Sequence, residues 1–167
     1  MSGPVSSLPT ALASFLAGKG ISAHVTRATE DAATAEDAAR LLGVHVSDIV
    51  KTMVLTDGVR YVAAVVPGGR RLDRRKVAQA LGTGKLRFAS ADGVNDHTGY
   101  PPGGVAPFAF ADAAMRVVVD SSLVQRPGRE VVAGGGRAEL LIRISVDDLV
   151  RHNEATVSSI AQDGKAG

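Results

Sequence analysis

Three observations point to an α+β fold built as a single domain around a mixed β-sheet. Two apolar, β-branched runs flank an Asp-Gly dipeptide in "DIVKTMVLTDGVRYVAAVV", short helical periods lie scattered between further apolar runs, and no segment repeats another. A chain of 167 residues, 45% of them hydrophobic, can bury one core and is too short for two comfortable ones.

The elements follow in order. Leu8, Leu12, Phe15 and Leu16 recur at helical spacing, and Gly18 and Gly20 end that helix. In "ISAHVT", Ile21, Ala23 and Val25 alternate as a half-buried strand requires. Thr34 is placed to cap a helix over "AEDAARLL" that stops at Gly43. Asp57-Gly58 supplies the positive φ angles of a tight hairpin turn between the two long strands. Asp73 caps a helix ending at Leu81, "LRFA" reads as a strand, and Ser90 caps a short helical turn. "MRVVVD" and "ELLIRI" are two further strands, and Ser145 starts a closing helix. The polar tail 153–167 shows no usable period and is expected to fray, which puts the folded domain at 1–152.

Composition narrows the chemistry. Cysteine is absent, which removes disulfides, thiolate metal sites and a cysteine nucleophile. The four histidines, His24, His45, His97 and His152, lie far apart and lack metal-ligand spacing, so neither a metal nor a cofactor is expected. No P-loop, no dinucleotide fingerprint and no G-x-S-x-G elbow occurs. With no signal peptide and no long apolar run, the expected location is the cytoplasm, away from membranes. Net charge is only +2, yet Arg70, Arg71, Arg74, Arg75 and Lys76 crowd seven positions. That cluster is either a solvated helix face or a patch that meets phosphates.

Two features lack an obvious structural purpose. "TGYPPGGVAPF" holds three glycines and three prolines in eleven positions, which bars regular structure, yet it is too apolar for a solvated linker. Lys51 stands near the start of the apolar run "IVKTMVL", either snorkelling to the sheet edge or serving as a cation held by a rigid strand at the mouth of a cleft.

Four segments, "DIVKTMVLTDG", "VVPGGRRLDRRKVAQAL", "LRFASADGVNDHTGYPPGGVAPF" and "VVAGGGR", stand in this order. Together they resemble the YbaK-type aminoacyl-tRNA deacylases, the editing fold also found inserted in bacterial prolyl-tRNA synthetases. The likeness runs over residues 8–149. K-T-x-x-L alone is a weak signal, whereas four segments in register are specific. The resemblance implies a mostly antiparallel or barrel-like sheet flanked by helices, and hydrolysis of the ester that joins a wrong amino acid to a tRNA 3′ end. It also implies tRNA as partner, with prolyl-tRNA synthetase as a second candidate. By the same resemblance Lys51, Gly103 and Gly104 are the catalytic candidates. Thr98, Gly99, Tyr100, Pro107, Gly134 and Gly135 are the substrate-binding candidates. Arg70, Arg71, Arg74 and Arg75 are the candidates for the tRNA backbone.

A loop free of side chains lets backbone N–H groups approach an ester and bind the charge that develops on its carbonyl, and prolines keep those donors fixed. His97 has the chemistry of a general base, but the resemblance gives it no role. Ala106 and Ala133 stand where cysteinyl-tRNA-specific members often carry serine, which favours another small residue such as alanine. Two other readings stay open at this level. One is a non-catalytic tRNA- or synthetase-binding module, and the other is a phosphate binder that uses the glycine loops as anion nests.

Overall fold

Single polar side chains start four of the five helices. Thr34, Asp73, Ser90 and Ser145 each accept a backbone N–H two or three residues ahead, and they open α2 (Ala35–Leu42), α3 (Arg74–Leu81), α4 (Ala91–Thr98) and α5 (Val146–Arg151). The remaining helix, α1 (Thr10–Lys19), follows Pro9 and ends at Gly20, which is left-handed; Gly18 lies inside it. These placements come from a computed structural model that describes residues 2–3, 7–28 and 34–163.

Among the described residues the strands are β1 (Ser2–Gly3), β2 (His24–Arg27), β3 (Val50–Thr56), β4 (Tyr61–Pro67), β5 (Arg87–Phe88), β6 (Arg116–Asp120), β7 (Glu130–Gly134), β8 (Leu140–Ser145) and β9 (Thr156–Ser158). They form a four-stranded sheet, β1-β2-β8-β7, and a five-stranded sheet, β5-β3-β4-β6-β9. The first is antiparallel throughout, while the second turns parallel at β4-β6 and β6-β9. A bridge between Ile49 and Val132 joins the edges of the two sheets just before β3, giving the mostly antiparallel, partly closed arrangement expected.

The two faces of the second sheet bury different things. Val50, Val54, Ala63, Val65, Val117 and Val119 pack with Leu12, Leu16, Phe108, Ile142 and Ile144 in the main core. Leu55, Val62, Ala64, Val66 and Val118, on the alternate positions, pack under α3 with Val77 and Leu81. Because β4 is covered on both faces, it reads as a continuous apolar run rather than an alternation.

Three expectations need correction. The hairpin loop is four residues long, with Thr56 opposite Tyr61, and only Gly58 takes a positive φ, at 97°. Asp57 instead accepts the N–H groups of Val59 and Arg60, each at 2.9 Å, an Asx-type turn that lengthens the loop. The helix after Ser90 is two full turns and absorbs Thr98, the first residue of the glycine-proline stretch. The tail does not fray at Asn153. Thr156–Ser158 pairs in parallel with β6, and Ile160 and Ala161 are fully buried. A three-residue strand carries no readable period, and its pairing energy comes from a partner more than thirty residues away.

Asp120 fastens that tail. Its buried carboxylate accepts the N–H groups of Ile160 at 2.9 Å and Ala161 at 3.1 Å, and it is bonded by both the hydroxyl and the N–H of Ser122. Arg70 stands 3.7 Å away and also donates to the Gln162 carbonyl. Burial by itself raises the Asp120 carboxyl, but the hydrogen bonds from Ser122, Ile160 and Ala161 outweigh it and hold the group below the usual carboxylate range. A carboxyl lowered in the folded state stabilises the fold above its unfolded pKa, and that contribution is lost as pH falls through the native value. Asp120→Ala is therefore expected to cost about 3 kcal/mol near neutral pH and to flatten the acid limb of a stability-versus-pH curve below about pH 4. Chemical denaturation at several pH values measures both. Equal acid limbs in the two proteins would show that Asp120 is not the group that titrates.

Candidate functional site

Strand alternation decides what β3 offers at its N-terminal end. Lys51 falls on the same face as Met53 and Leu55, while Thr52 falls on the core side with Val50 and Val54. Only the C-terminal half of β3 is flanked by β5, so the strand is open on that side at Lys51 and Thr52. There a cavity of about 310 Å³ opens. Lys51, Thr52 and Met53 line it from β3, Thr34, Ala35 and Ala38 from the start of α2, and Gly134 and Leu141 from the first sheet. Pro102, Gly103 and Val105 close it from the glycine-proline loop.

The Lys51 side chain is exposed at this mouth, and none of the ion pairs among the described residues involves it. Its charge is the only formal charge in a wall otherwise made of apolar groups, two threonines and backbone. Thr52 adds a second singular feature. Its Oγ1 is buried and has no hydrogen-bond partner, the one such side-chain atom identified among the described residues. A buried hydroxyl left unpaired carries a desolvation cost of about 1–3 kcal/mol, and the residue that bears it lines the cavity.

The two glycine segments meet back to back. A Cβ on Gly104 would run into the backbone of Arg137 and Ala138, and a Cβ on Gly134 would run into the carbonyl of Val105. Gly135 is held as closely, with Leu140 atoms 2.9–3.0 Å from where its Cβ would stand. Gly103 is different: a Cβ there meets nothing within 4 Å. Its N–H precedes the first bond of the 3-10 turn over Pro102–Gly104, whereas the Gly104 N–H is already spent on the Pro101 carbonyl at 2.9 Å.

The structure thus divides the expected site residues. Lys51, Gly103 and Gly134 line the cavity; the others stand behind it. Gly104 and Gly135 are packing glycines, and Gly104 has no free N–H for an oxyanion. Thr98 is buried, donating to the Val94 carbonyl at 2.6 Å and accepting the Tyr100 N–H at 3.0 Å. Gly99 is the left-handed cap of α4. Tyr100 is buried and donates its hydroxyl to the Phe108 carbonyl at 2.6 Å, and burial pushes that phenol well above its usual pKa. The Pro107 carbonyl accepts from Asn153 at 2.8 Å. These residues hold the loop in place rather than touch its contents.

The arginine cluster also divides. Arg70 is tied to Asp120 and the tail, while Arg74 and Arg75 border a separate groove beside α3; Arg71 is exposed and lines neither opening. His97 lies outside the cavity, stacked on Tyr61 and 2.9 Å from Asp112. That bond is the first cause holding the Asp112 carboxyl below its usual range. Ala106 and Ala133 are buried in the main core and do not line the cavity, so they weigh less on substrate choice than their positions in the sequence suggest. Among the described residues no group of three or more His, Asp or Glu is placed to hold a metal ion, and no helix is long and apolar enough to cross a membrane. Sequence reasoning missed α2 as a cavity wall, and it passed over Thr52 although it sits beside Lys51.

Comparison with known proteins adds a family to this geometry. A family model described as an aminoacyl-tRNA editing domain matches residues 29–152. Proline–tRNA ligase of Fervidobacterium nodosum is 30% identical over 136 residues, covering 81% of this chain and 23% of that protein. The enzyme of Stenotrophomonas maltophilia is 36% identical over 91 residues, covering 52% of this chain and 16% of that protein. The chain therefore spans less than a quarter of the length of either ligase. A crystal structure of a candidate trans-editing enzyme for prolyl tRNA synthetase superposes with a TM-score of 0.82 at 27% identity, covering 96% of this chain and 98% of that one.

The contrast between the two loop glycines is testable. Gly104→Ala should lower stability by about 2–3 kcal/mol or prevent folding, since the backbone it meets cannot yield cheaply. Gly103→Ala should leave the melting temperature within about a degree or two, as an exposed change away from packed contacts. Equal destabilisation by both would remove the distinction between a packing glycine and a cavity glycine.

Proposed function

We propose, since this chain belongs to the aminoacyl-tRNA editing domain family, that it is a hydrolase removing a small, wrongly attached amino acid from the 3′ end of a tRNA. The observation that carries this reading is the 310 Å³ cavity with one lysine charge, the unpaired Thr52 hydroxyl and the open backbone of Gly103 on an otherwise apolar wall. That volume is at the small end of ligand sites and admits an aminoacyl group; the choice of a small residue such as alanine comes from the resemblance rather than from the volume. The ribose and the rest of the tRNA remain outside.

The wall supplies no nucleophile of its own. Among its described residues there is no Ser, Cys, His, Asp or Glu; of its two threonines, Thr34 is held by Asp37 as the cap of α2, and Thr52 has no hydrogen-bond partner. Water is then the attacking group, oriented by the neighbouring hydroxyl of the terminal ribose. It adds to the ester carbonyl, and the Lys51 ammonium and the Gly103 N–H stabilise the oxyanion that forms. A fixed charge and a fixed dipole do this without reorganising during the reaction. The ester C–O bond then breaks, the ribose oxygen takes one of the two protons of the added water, and the amino acid leaves with the other as a carboxylic acid that ionises. Thr52 accepts a hydrogen bond from the substrate amino group, which pays its otherwise unmet demand for a partner. Exposed arginines near α3 face the tRNA backbone. Association with prolyl-tRNA synthetase is the partner reading that the relatives' names support.

Two substitutions on adjacent residues test the reading. Lys51→Met keeps the apolar stem and deletes the charge, so kcat/KM for deacylation of a mischarged tRNA should fall about 10²-fold, roughly 2.7 kcal/mol, with the fold intact. Wild-type turnover in this variant would remove Lys51 from the chemistry. Thr52→Val should leave the melting temperature unchanged or slightly raised, because it deletes a hydroxyl that has no partner in the fold. Its kcat/KM should fall about tenfold, or roughly 1.4 kcal/mol. A clear loss of stability with full activity would show that the hydroxyl serves the fold instead.

A further inference from the structure

A second and larger opening, about 870 Å³, runs between α3 and the turn that leads into β5. Arg74, Arg75 and Lys85 line it, with Gln79 and Thr83 between them. All three cations are exposed, and none is in an ion pair among the described residues. The one carboxylate on its wall, Asp73, is engaged by the N–H groups of Arg75 and Lys76 at the start of α3. Beside the groove Phe88 is 49% exposed, although it is one of only a few large apolar side chains so placed. The guanidinium of Arg74 lies 5.4 Å from the centre of its ring and also reaches the Leu86 carbonyl at 3.5 Å. Phe88 is thus braced by a cation and leaves half of its surface open.

We infer that this groove binds single-stranded RNA, with Phe88 as a stacking platform for one base and Arg75 and Lys85 as contacts to the phosphates on either side. The chemistry favours that occupant over an acidic peptide, because a peptide needs the cations but has no use for an exposed, cation-braced aromatic face. Stacking on an aromatic ring combined with a basic track is how proteins hold single strands without reading every base. The location agrees. Phe88 pairs with Leu55, four residues along β3 from Lys51, a separation of about 13 Å at the usual rise per residue. A stacked strand advancing about 3.4 Å per nucleotide covers that distance in about four nucleotides, a match for the unpaired tail at a tRNA 3′ end. The identity of the strand rests on the editing reading above; the existence of the groove as an RNA site does not.

The test uses an uncharged RNA hairpin with an acceptor-type stem and an unpaired 3′ tail, fluorescently labelled and titrated with the intact protein. Because the RNA carries no amino acid, a failure here is separable from a failure of the deacylase reading. Phe88→Ala should weaken binding about tenfold, and Phe88→Tyr, which keeps a stacking face, should bind nearly as well as the wild type. The Arg75→Gln, Lys85→Gln double variant should reduce the log–log salt slope by about 1.4, at roughly 0.7 for each single-strand phosphate contact. Unchanged affinity in Phe88→Ala or an unchanged slope in the double variant would overturn the proposal. So would displacement of the RNA by polyglutamate as effective as that by an unlabelled single strand.

Discussion

Where Gly104 and Gly134 lie, two backbone segments touch with no side chain between them, and the candidate site depends on that contact. The glycine-proline loop comes from the end of α4 and the second glycine segment from the end of β7, so they belong to different parts of the chain. Any Cβ at Gly104 or Gly134 would push them apart. Held together, they let Gly103 and Val105 line the same cavity as Lys51. The prolines and the buried Tyr100 and Thr98 then fix the loop from behind. Tyr100 holds the Phe108 carbonyl, and Thr98 holds both α4 and the Tyr100 backbone. A loop this constrained can present a single N–H in a defined direction without relying on a helix or strand to do so.

The same economy governs charge. The cavity receives one cation and no described carboxylate, so nothing in its wall neutralises Lys51 before a substrate arrives. Other charges are committed to structure. Asp120 is enclosed by four donors at the end of β6, and Arg70 completes that cluster at its solvent side. Arg129, nearly buried, joins the start of β7 to the turn before β3 through Asp48 and the Ser47 carbonyl, and to the turn after β6 through the Ser122 carbonyl. These ties order the ends of β3, β6 and β7, and β3 and β7 both border the cavity. The partition separates cations that hold the fold from cations that remain free to meet a ligand.

Placing the opening beside α3 at the far end of β3 from Lys51 gives the second sheet two distinct surfaces along one strand. One end offers a smaller space suited to an amino acid, and the other offers a larger basic track suited to a chain of phosphates. A polymer whose reactive group lies at its terminus is the kind of ligand that uses both. Binding energy from the remote part then serves to position the reacting part, which is how extended substrates are oriented.

The local rules were legible in the sequence because their causes are local. A serine, threonine or aspartate followed by a helical period is enough to set Thr34, Asp73, Ser90 and Ser145 as caps. Left-handed Gly43 and Gly82 end helices for reasons contained in a single residue. Lys51 stood out because a charge interrupts an apolar strand, and the glycine segments stood out because their composition excludes regular structure. What tertiary structure alone decided was which of these residues share a space. Gly103 and Gly104 are neighbours with the same side chain, yet one faces open cavity and the other faces the backbone of residues 137–138. Arg70 and Arg74 read as one patch, but α3 begins between them and sends them to different partners. The tail folds because β6 and Asp120 offer hydrogen bonds to residues some forty positions later. The sequence by itself determined the elements and their chemistry, since propensity and capping act within a few residues. The site was decided by contacts between distant segments, whose geometry no local pattern encodes.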